Sequence, residues 1–234
     1  RINIIEKAQV VYQVAKNIML DVFSDPRSGI HVYRAKNLVE ATIDMIITNK
    51  NASFAIINIL SFDYYTYSHS VNVAILGLLF SKYLGIKYEE LNVLGTGLLF
   101  HDIGKTQIES EIINKKEKLN EKEFARIKMH VELGANILTK VRDIGDVSLF
   151  PVRQHHEKCN GKGYPNRLQG DDIHKFGKIA SIIDVYDALT TRRSYADAKK
   201  PFSALNIMKN EMEGSFDDEL FTKFILFLGQ RSEK

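Results

Sequence analysis

Five histidines and two aspartates supply the residue types most suited to holding a metal: His69, His101, His130, His155, His156, Asp102 and Asp184. Their placement is uneven. His101 and Asp102 are adjacent in "GTGLLFHD", His155 and His156 are adjacent in "HHEKCNGKGYP", and Asp184 stands inside the apolar run "IASIIDVYDAL". An ionised carboxylate in such a run is costly unless it is paired or bound to a cation. A metal accounts for both aspartates at once. Neutral imidazoles with carboxylates suit iron, manganese, zinc or nickel, and one carboxylate can bridge two ions. Plainer roles are open to each residue taken singly: His69 as a hydrogen-bonded core histidine, His101–Asp102 as a pair at a helix end, Asp184 as the partner of Lys178.

Three other chemistries are excluded by spacing. "DIGKT" ends like a phosphate-binding Walker loop, but Leu99 occupies the position where that loop needs its first glycine. "HHEKCN" is not the zinc-protease helix, because Asn160 rather than histidine stands four residues after His156. Cys159 is the single cysteine, so neither a zinc ribbon nor an internal disulfide is available, and a reducing compartment fits.

The elements that must position these residues read as helices. Apolar residues recur at three- and four-residue spacing, and prolines number four. Ile5, Val10, Val11, Val14, Ile18 and Val22 suggest a first amphipathic helix, broken by "DPRSG". A second is expected from about His31 to Thr48, and Ser53 can cap a short third. "TYSHSVNVAILGLLFSKYLG" reads as a buried helix closing on Gly85. "YEELNVLGTGLLFHDIG" follows. Asn120 with Glu123 resembles a capping box opening "EKEFARIKMHVELGANILTKV" as one helix. A helix through "VSLFPVRQHH" meets a loop running to about Asp172, then come "KFGKIASIIDVYDALTT" and two amphipathic helices. No strand pattern is found. A soft boundary falls near residues 51–62.

At 234 residues, 44% hydrophobic and 26% charged, the chain has the bulk of a globular protein with a sizeable core. A net charge of +3 is too small for a nucleic-acid coat but does not oppose an anionic ligand. The longest apolar run, Val73 to Phe80, is too short to span a membrane. The chain opens on Arg1 rather than Met and without a signal peptide, so a fragment of a longer, cytoplasmic protein is expected.

Five stretches in order, "YTYSHSVNVA", "LLFHDIGK", "IKMHVELGANIL", "HHEKCNGKGYP" and "IASIIDVYDALTTRRSY", resemble the HD-GYP domain, a branch of the HD phosphohydrolases. The resemblance spans roughly residues 60–215. It implies an all-α HD-domain bundle carrying extra N-terminal helices, with residues 1–60 as a helical platform and 61–234 as the phosphohydrolase domain. It further implies a bacterial enzyme of signal transduction that cleaves cyclic dinucleotides, chiefly cyclic di-GMP, to linear pGpG and onward to GMP. Cyclic GMP-AMP or another nucleotide is an alternative substrate, and a non-catalytic cyclic-dinucleotide receptor an alternative role.

Carried over by motif, His69, His101, Asp102 and Asp184 would hold one divalent ion. Asp102 would bridge to a second, completed by His130, His155 and His156, with iron or manganese as the family's metals. Tyr65 replaces the glutamate that members with a third ion carry, so two ions are expected. Two such cations would lower the pKa of a water between them and neutralise phosphate oxygens during in-line displacement. Lys105 resembles the family lysine near the scissile phosphate. Gly163, Tyr164, Pro165 and Arg193 would contact substrate, Glu157 would orient a histidine, and residues 1–60 would serve a dimer contact or an upstream regulatory domain. Two positions depart from the pattern. Asn160 replaces an aspartate, able to keep a turn but not an ionic contact, and Ala196 replaces a second arginine after Tyr195, with Arg192 as a substitute cation. Asp187 is expected to be structural, bonded to a neighbour or to Arg193, and His31 and His174 to be exposed.

Overall fold

The computed structural model describes residues 3–48, 66–141, 144–191 and 197–229. The short helix expected from Ser53 and the boundary near residues 51–62 lie outside them. Among the described residues the chain is all-helical, with no strand beyond one isolated bridge between Asn160 and Gln169.

Two long helices open the chain, α1 (Ile4–Ser24) and α2 (Gly29–Thr48). Asn3 and Glu6 form a capping box that satisfies amide donors at the start of α1. The buried face of α1 is Ala8, Tyr12, Ala15, Ile18, Met19 and Val22. The expected stripe is therefore partly wrong. Ile5, Val10 and Val14 are 48%, 61% and 44% exposed, because the face of α1 turned to the core carries Ala8, Tyr12 and Ala15 instead.

Helix α3 (Thr66–Tyr83) is the centre of the bundle, with every residue from Ser68 to Ser81 buried. Such burial on all sides requires packing partners all round, and α1, α4 (Tyr88–Phe100) and α9 (Lys175–Thr190) supply them. Gly85, at φ +74°, ends the helix in the left-handed conformation that a side chain disfavours. On α4, Leu94, Leu98 and Leu99 are sealed from solvent, each contributing about 1.5–3 kcal/mol by burial.

Beyond α4 the chain runs through a 3-10 turn (Ile103–Gln107), α5 (Ser110–Ile113), α6 (Glu121–Lys128) and α7 (His130–Leu138). The capping box of Asn120 with Glu123 is present. The single helix expected here is instead two, divided at Met129. His130 Nδ1 takes the Ile127 carbonyl at 2.7 Å, a side-chain bond that competes with the helical ladder in that turn. Helix α8 (Leu149–Gln154) ends at the histidine pair. A loop and a 3-10 turn (Gly170–Asp172) lead to α9, and α10 (Pro201–Asn210) and α11 (Asp218–Gly229) close the described chain. One hydrophobic core connects α1 and α2 to α11, with Phe80, Phe100 and Phe224 sealed inside it. No helix among the described residues is long and apolar enough to cross a membrane.

Candidate metal centre

Five elements converge on one buried point. α3 brings His69, the end of α4 brings His101 and Asp102, and the start of α7 brings His130. The end of α8 brings His155 and His156, and the middle of α9 brings Asp184. His69, His101, Asp102, His130 and His155 are each no more than 1% exposed. Gly104 permits the approach of the 3-10 turn to α7, since a Cβ there would come within 1.9 Å of the His130 carbonyl oxygen.

Hydrogen bonds outside the cluster fix which nitrogen of each ring faces inward. His101 Nδ1 lies 2.8 Å from the Leu98 carbonyl oxygen, and His155 Nδ1 lies 2.9 Å from that of Pro151. A carbonyl only accepts, so these Nδ1 atoms and that of His130 carry the proton. Each neutral ring therefore turns an unprotonated Nε2 inward. His69 is set the same way by Asp187, whose Oδ2 is 2.7 Å from its Nδ1. The inward nitrogens then face each other, at 3.3 Å for His69 and His101 and 3.2 Å for His130 and His155. Lone pairs at such distances repel, and a shared cation removes the conflict.

Asp102 lies between the two pairs. Its Oδ2 is 3.4 Å from His101 Nε2 and 3.7 Å from His69 Nε2, while Oδ1 is 3.4 Å from His130 Nε2 and 3.8 Å from His155 Nε2. Oδ1 is buried without a hydrogen-bond partner, a costly state for a carboxylate oxygen. Two groups with donor atoms within 4.8 Å of one another result: Asp102 with His130, His155 and His156, and Asp102 with His69 and His101. Asp184 adds Oδ1 at 3.0 Å from His69 Nε2 and Oδ2 at 3.8 Å from His156 Nδ1. The orphaned oxygen and the opposed lone pairs are what a divalent-metal site of imidazoles and carboxylates requires. The plainer role for Asp184 is excluded, because Lys178 pairs with Asp217 and Asp171.

The protonation states suit ligation. Burial lowers the pKa of His130, lowers that of His155 well below its ordinary value, and takes His156 down to about 3. Burial opposes ionisation of Asp102, but Lys105 and the neighbouring histidines outweigh it and hold the carboxyl well below its usual range. In Asp184 the same penalty is overcome chiefly by His69. At neutral pH His130, His155 and His156 are thus neutral imidazoles, and Asp102 and Asp184 are ionised carboxylates.

Lys105, on the 3-10 turn, donates through Nζ to Asp102 Oδ2 and is 19% exposed at its side chain. The loop after α8 is built around Glu157. This carboxylate was expected to orient a histidine; instead, its oxygens accept from the amides of Asn166, at 2.7 Å, and Leu168, at 3.0 Å. Asn160 makes the turn expected of it, with Oδ1 accepting from the Lys162 amide. Gly163 has no room for a side chain, since a Cβ would meet the Lys158 amide nitrogen at 2.4 Å. Tyr164 lays its ring 4.6 Å from that of His156, and Pro165 follows it along the loop wall.

Asp187 is the participant that spacing alone did not assign; its signal was a second buried carboxylate one turn after Asp184. His174 is not exposed. It caps α9 and stacks on Phe150 at 3.9 Å, and His31 is likewise half-buried. Tyr65, Arg192, Arg193, Tyr195 and Ala196 lie outside the described residues.

Known proteins resemble this chain in sequence and in fold. A model of the HD domain matches residues 66–220. A cyclic di-GMP phosphodiesterase of Pseudomonas aeruginosa is 31% identical over 229 residues, covering 96% of this chain and 55% of the relative. A 3'3'-cGAMP-specific phosphodiesterase of Vibrio cholerae is 40% identical over 133 residues, covering 56% of this chain and 26% of the relative. The chain thus spans about half or less of these relatives' lengths. An HDG"Y"P protein from Bdellovibrio bacteriovorus shares the fold at a TM-score of 0.80 and 20% identity, over 97% of this chain and 73% of that one.

Proposed function

The chain belongs to the HD domain family, and on that premise we propose that it is a metal-dependent cyclic-dinucleotide phosphodiesterase converting cyclic di-GMP to linear pGpG. The observation that carries the reading is the Asp102 carboxylate between two pairs of inward-facing imidazole nitrogens, with one oxygen toward each pair. His69, His101, Asp102 and Asp184 would hold one divalent ion and Asp102, His130, His155 and His156 the other, with iron or manganese as the proposed metals. When bound, such a pair supplies Lewis acidity toward phosphate oxygens and lowers the pKa of a water between the ions.

The chain's own residues do the remaining work. Asp187 and the carbonyls of Leu98, Ile127 and Pro151 hold four imidazoles with their Nε2 atoms aimed inward, so no reorientation is needed on binding. Lys105, which donates to Asp102, would offset charge on, or protonate, the departing ribose 3′-oxygen. Tyr164 presents a ring face beside His156 on which a purine can stack, with Gly163 and Pro165 shaping that wall; Arg193, outside the described residues, would be a further substrate contact. Residues 61–234 would form the catalytic unit and residues 1–60 a platform for dimerisation or an upstream regulatory domain, acting in the cytoplasm. Tyr12 supports the platform role, as its hydroxyl donates at 2.8 Å to Asn72, one turn beyond His69.

Cyclic GMP-AMP is the second reading, favoured by the resemblance to the 3'3'-cGAMP-specific phosphodiesterase of Vibrio cholerae. Parallel turnover of both cyclic dinucleotides by metal-loaded protein, followed by chromatography, separates the two. Preferential release of pGpG supports the first, and preferential cleavage of cyclic GMP-AMP replaces it with the second.

A further inference from the structure

Beside the Tyr164 ring, a groove of about 690 Å³ runs between α6–α7 and the loop that follows α8. Two rings and four cations line it: Phe124, Tyr164, Lys128, Lys158, Lys162 and Arg167. Glu132 is the one carboxylate among its lining residues. Lys128 Nζ lies 4.7 Å from the Phe124 ring centre and 5.6 Å from that of Tyr164, so a positive charge sits over both rings. No salt bridge within the described residues neutralises any of the four cations.

Arg167 makes this more than a solvated basic face. Its φ is +56°, and it is the one non-glycine residue with positive φ among those described. A side chain in that conformation is strained, and glycine is the residue that adopts it freely. The strain is held from both sides. Glu157, 1% exposed, accepts from the amides of Asn166 and Leu168, the two residues flanking Arg167. A buried carboxylate thus fixes the backbone around a residue that a simple turn would fill with glycine. Strained residues that their surroundings over-determine cluster at active sites and ligand clamps. The side chain so placed is a guanidinium, which grips phosphate in a fork.

We infer that this groove is an anion subsite for the part of the substrate that is not cut: the second phosphate and nucleotide of a cyclic dinucleotide, with the base against Phe124 or Tyr164. The inference rests on the proposed activity for its substrate class. The shared Tyr164 ring connects the two places, one face region meeting His156 and the residue also lining the groove. A ligand engaging both would be longer than a mononucleotide.

The test is equilibrium dialysis of a hydrolysis-resistant phosphorothioate analogue of cyclic di-GMP against metal-loaded parent protein, Arg167→Gly, and the triple variant Lys158→Gln, Lys162→Gln, Arg167→Gly. GMP serves as the short probe. Arg167→Gly relieves the backbone strain, so its melting temperature should equal or exceed the parent's while affinity for the analogue falls about fivefold. The triple variant should bind about thirtyfold more weakly, with a shallower dependence on salt, and GMP affinity should change less. Unchanged analogue affinity in the triple variant, equal losses for GMP and analogue, or no binding by the parent would overturn the subsite. Turnover is read separately. Binding that depends on these residues without hydrolysis would sink the phosphodiesterase and leave the subsite, whereas hydrolysis with binding indifferent to them would do the reverse.

Discussion

Asp187 and His69 stand 118 residues apart in the sequence, yet Asp187 Oδ2 lies 2.7 Å from His69 Nδ1. The contact fixes the ring's tautomer and aims Nε2 at Asp102 and Asp184. Asp187→Asn keeps the size but exchanges the charged acceptor for an amide, leaving the tautomer and basicity of His69 less constrained. Metal affinity should fall about 10- to 100-fold with the helical content unchanged. Competition with a chromophoric chelator measures it, and an affinity equal to the parent's would remove Asp187 from the site.

Gly104 provides a mechanical test. A methyl group there meets the His130 carbonyl oxygen and the Gly134 amide, both backbone atoms with little freedom to yield. Gly104→Ala should cost about 3 kcal/mol, lowering the melting temperature by roughly 5–10 °C. Metal content should fall with it, because the same contact sets the distance from Asp102 to His130. Thermal unfolding followed by circular dichroism, with metal analysis of the folded fraction, reads both.

Acid should destabilise the metal-free protein over a defined range. His156 titrates near 6.5 when unfolded and near 3 when folded, and His130 and His155 shift in the same direction. Between those values the unfolded chain binds more protons, so stability falls as pH drops below about 6.5. Asp102 and Asp184, held low in the fold, add a loss once pH falls below about 3.8, with the same sign. Melting temperatures of chelator-treated protein from about pH 8 to pH 4 should be level at first and then decline; a rise on acidification contradicts the burial of neutral histidines.

Metal removal at neutral pH should itself lower the melting temperature. The opposed Nε2 pairs and the orphaned Asp102 oxygen remain buried without the cation that reconciles them. An ion present at a thousandfold its dissociation constant stabilises by about 4 kcal/mol, so chelation should produce a shift of several degrees, reversed by manganese or iron. No shift on chelation would mean the cluster does not hold metal under those conditions.

Much of this was legible because period and chemistry reinforced each other. The apolar run from Val73 to Phe80 points to a central buried helix, and an aspartate inside "IASIIDVYDAL" demands a cation or a partner. The stripe on α1 misled, since Val10 and Val14 satisfy a helical period as well as the truly buried Ala8 and Ala15 do. Periodicity cannot tell which side its neighbours approach. The break at Met129 was hidden because it depends on the His130 side chain finding a carbonyl in its own preceding turn. Adjacency to two histidines suggests a ligand-orienting role for Glu157, whereas its partners are nine and eleven residues onward. The left-handed Arg167 has no sequence signature at all, since only the folded loop imposes it.

The central claim is that Asp102 joins two ions into one hydrolytic centre. Metal-loaded parent and Asp102→Ala, prepared anaerobically, should be compared for metal content and for release of pGpG from cyclic di-GMP. The expected result is about two ions per parent chain with product formed, and lost occupancy with no product in the variant. A parent that is fully loaded and releases no product, or an Asp102→Ala variant that retains both ions and full turnover, would contradict it.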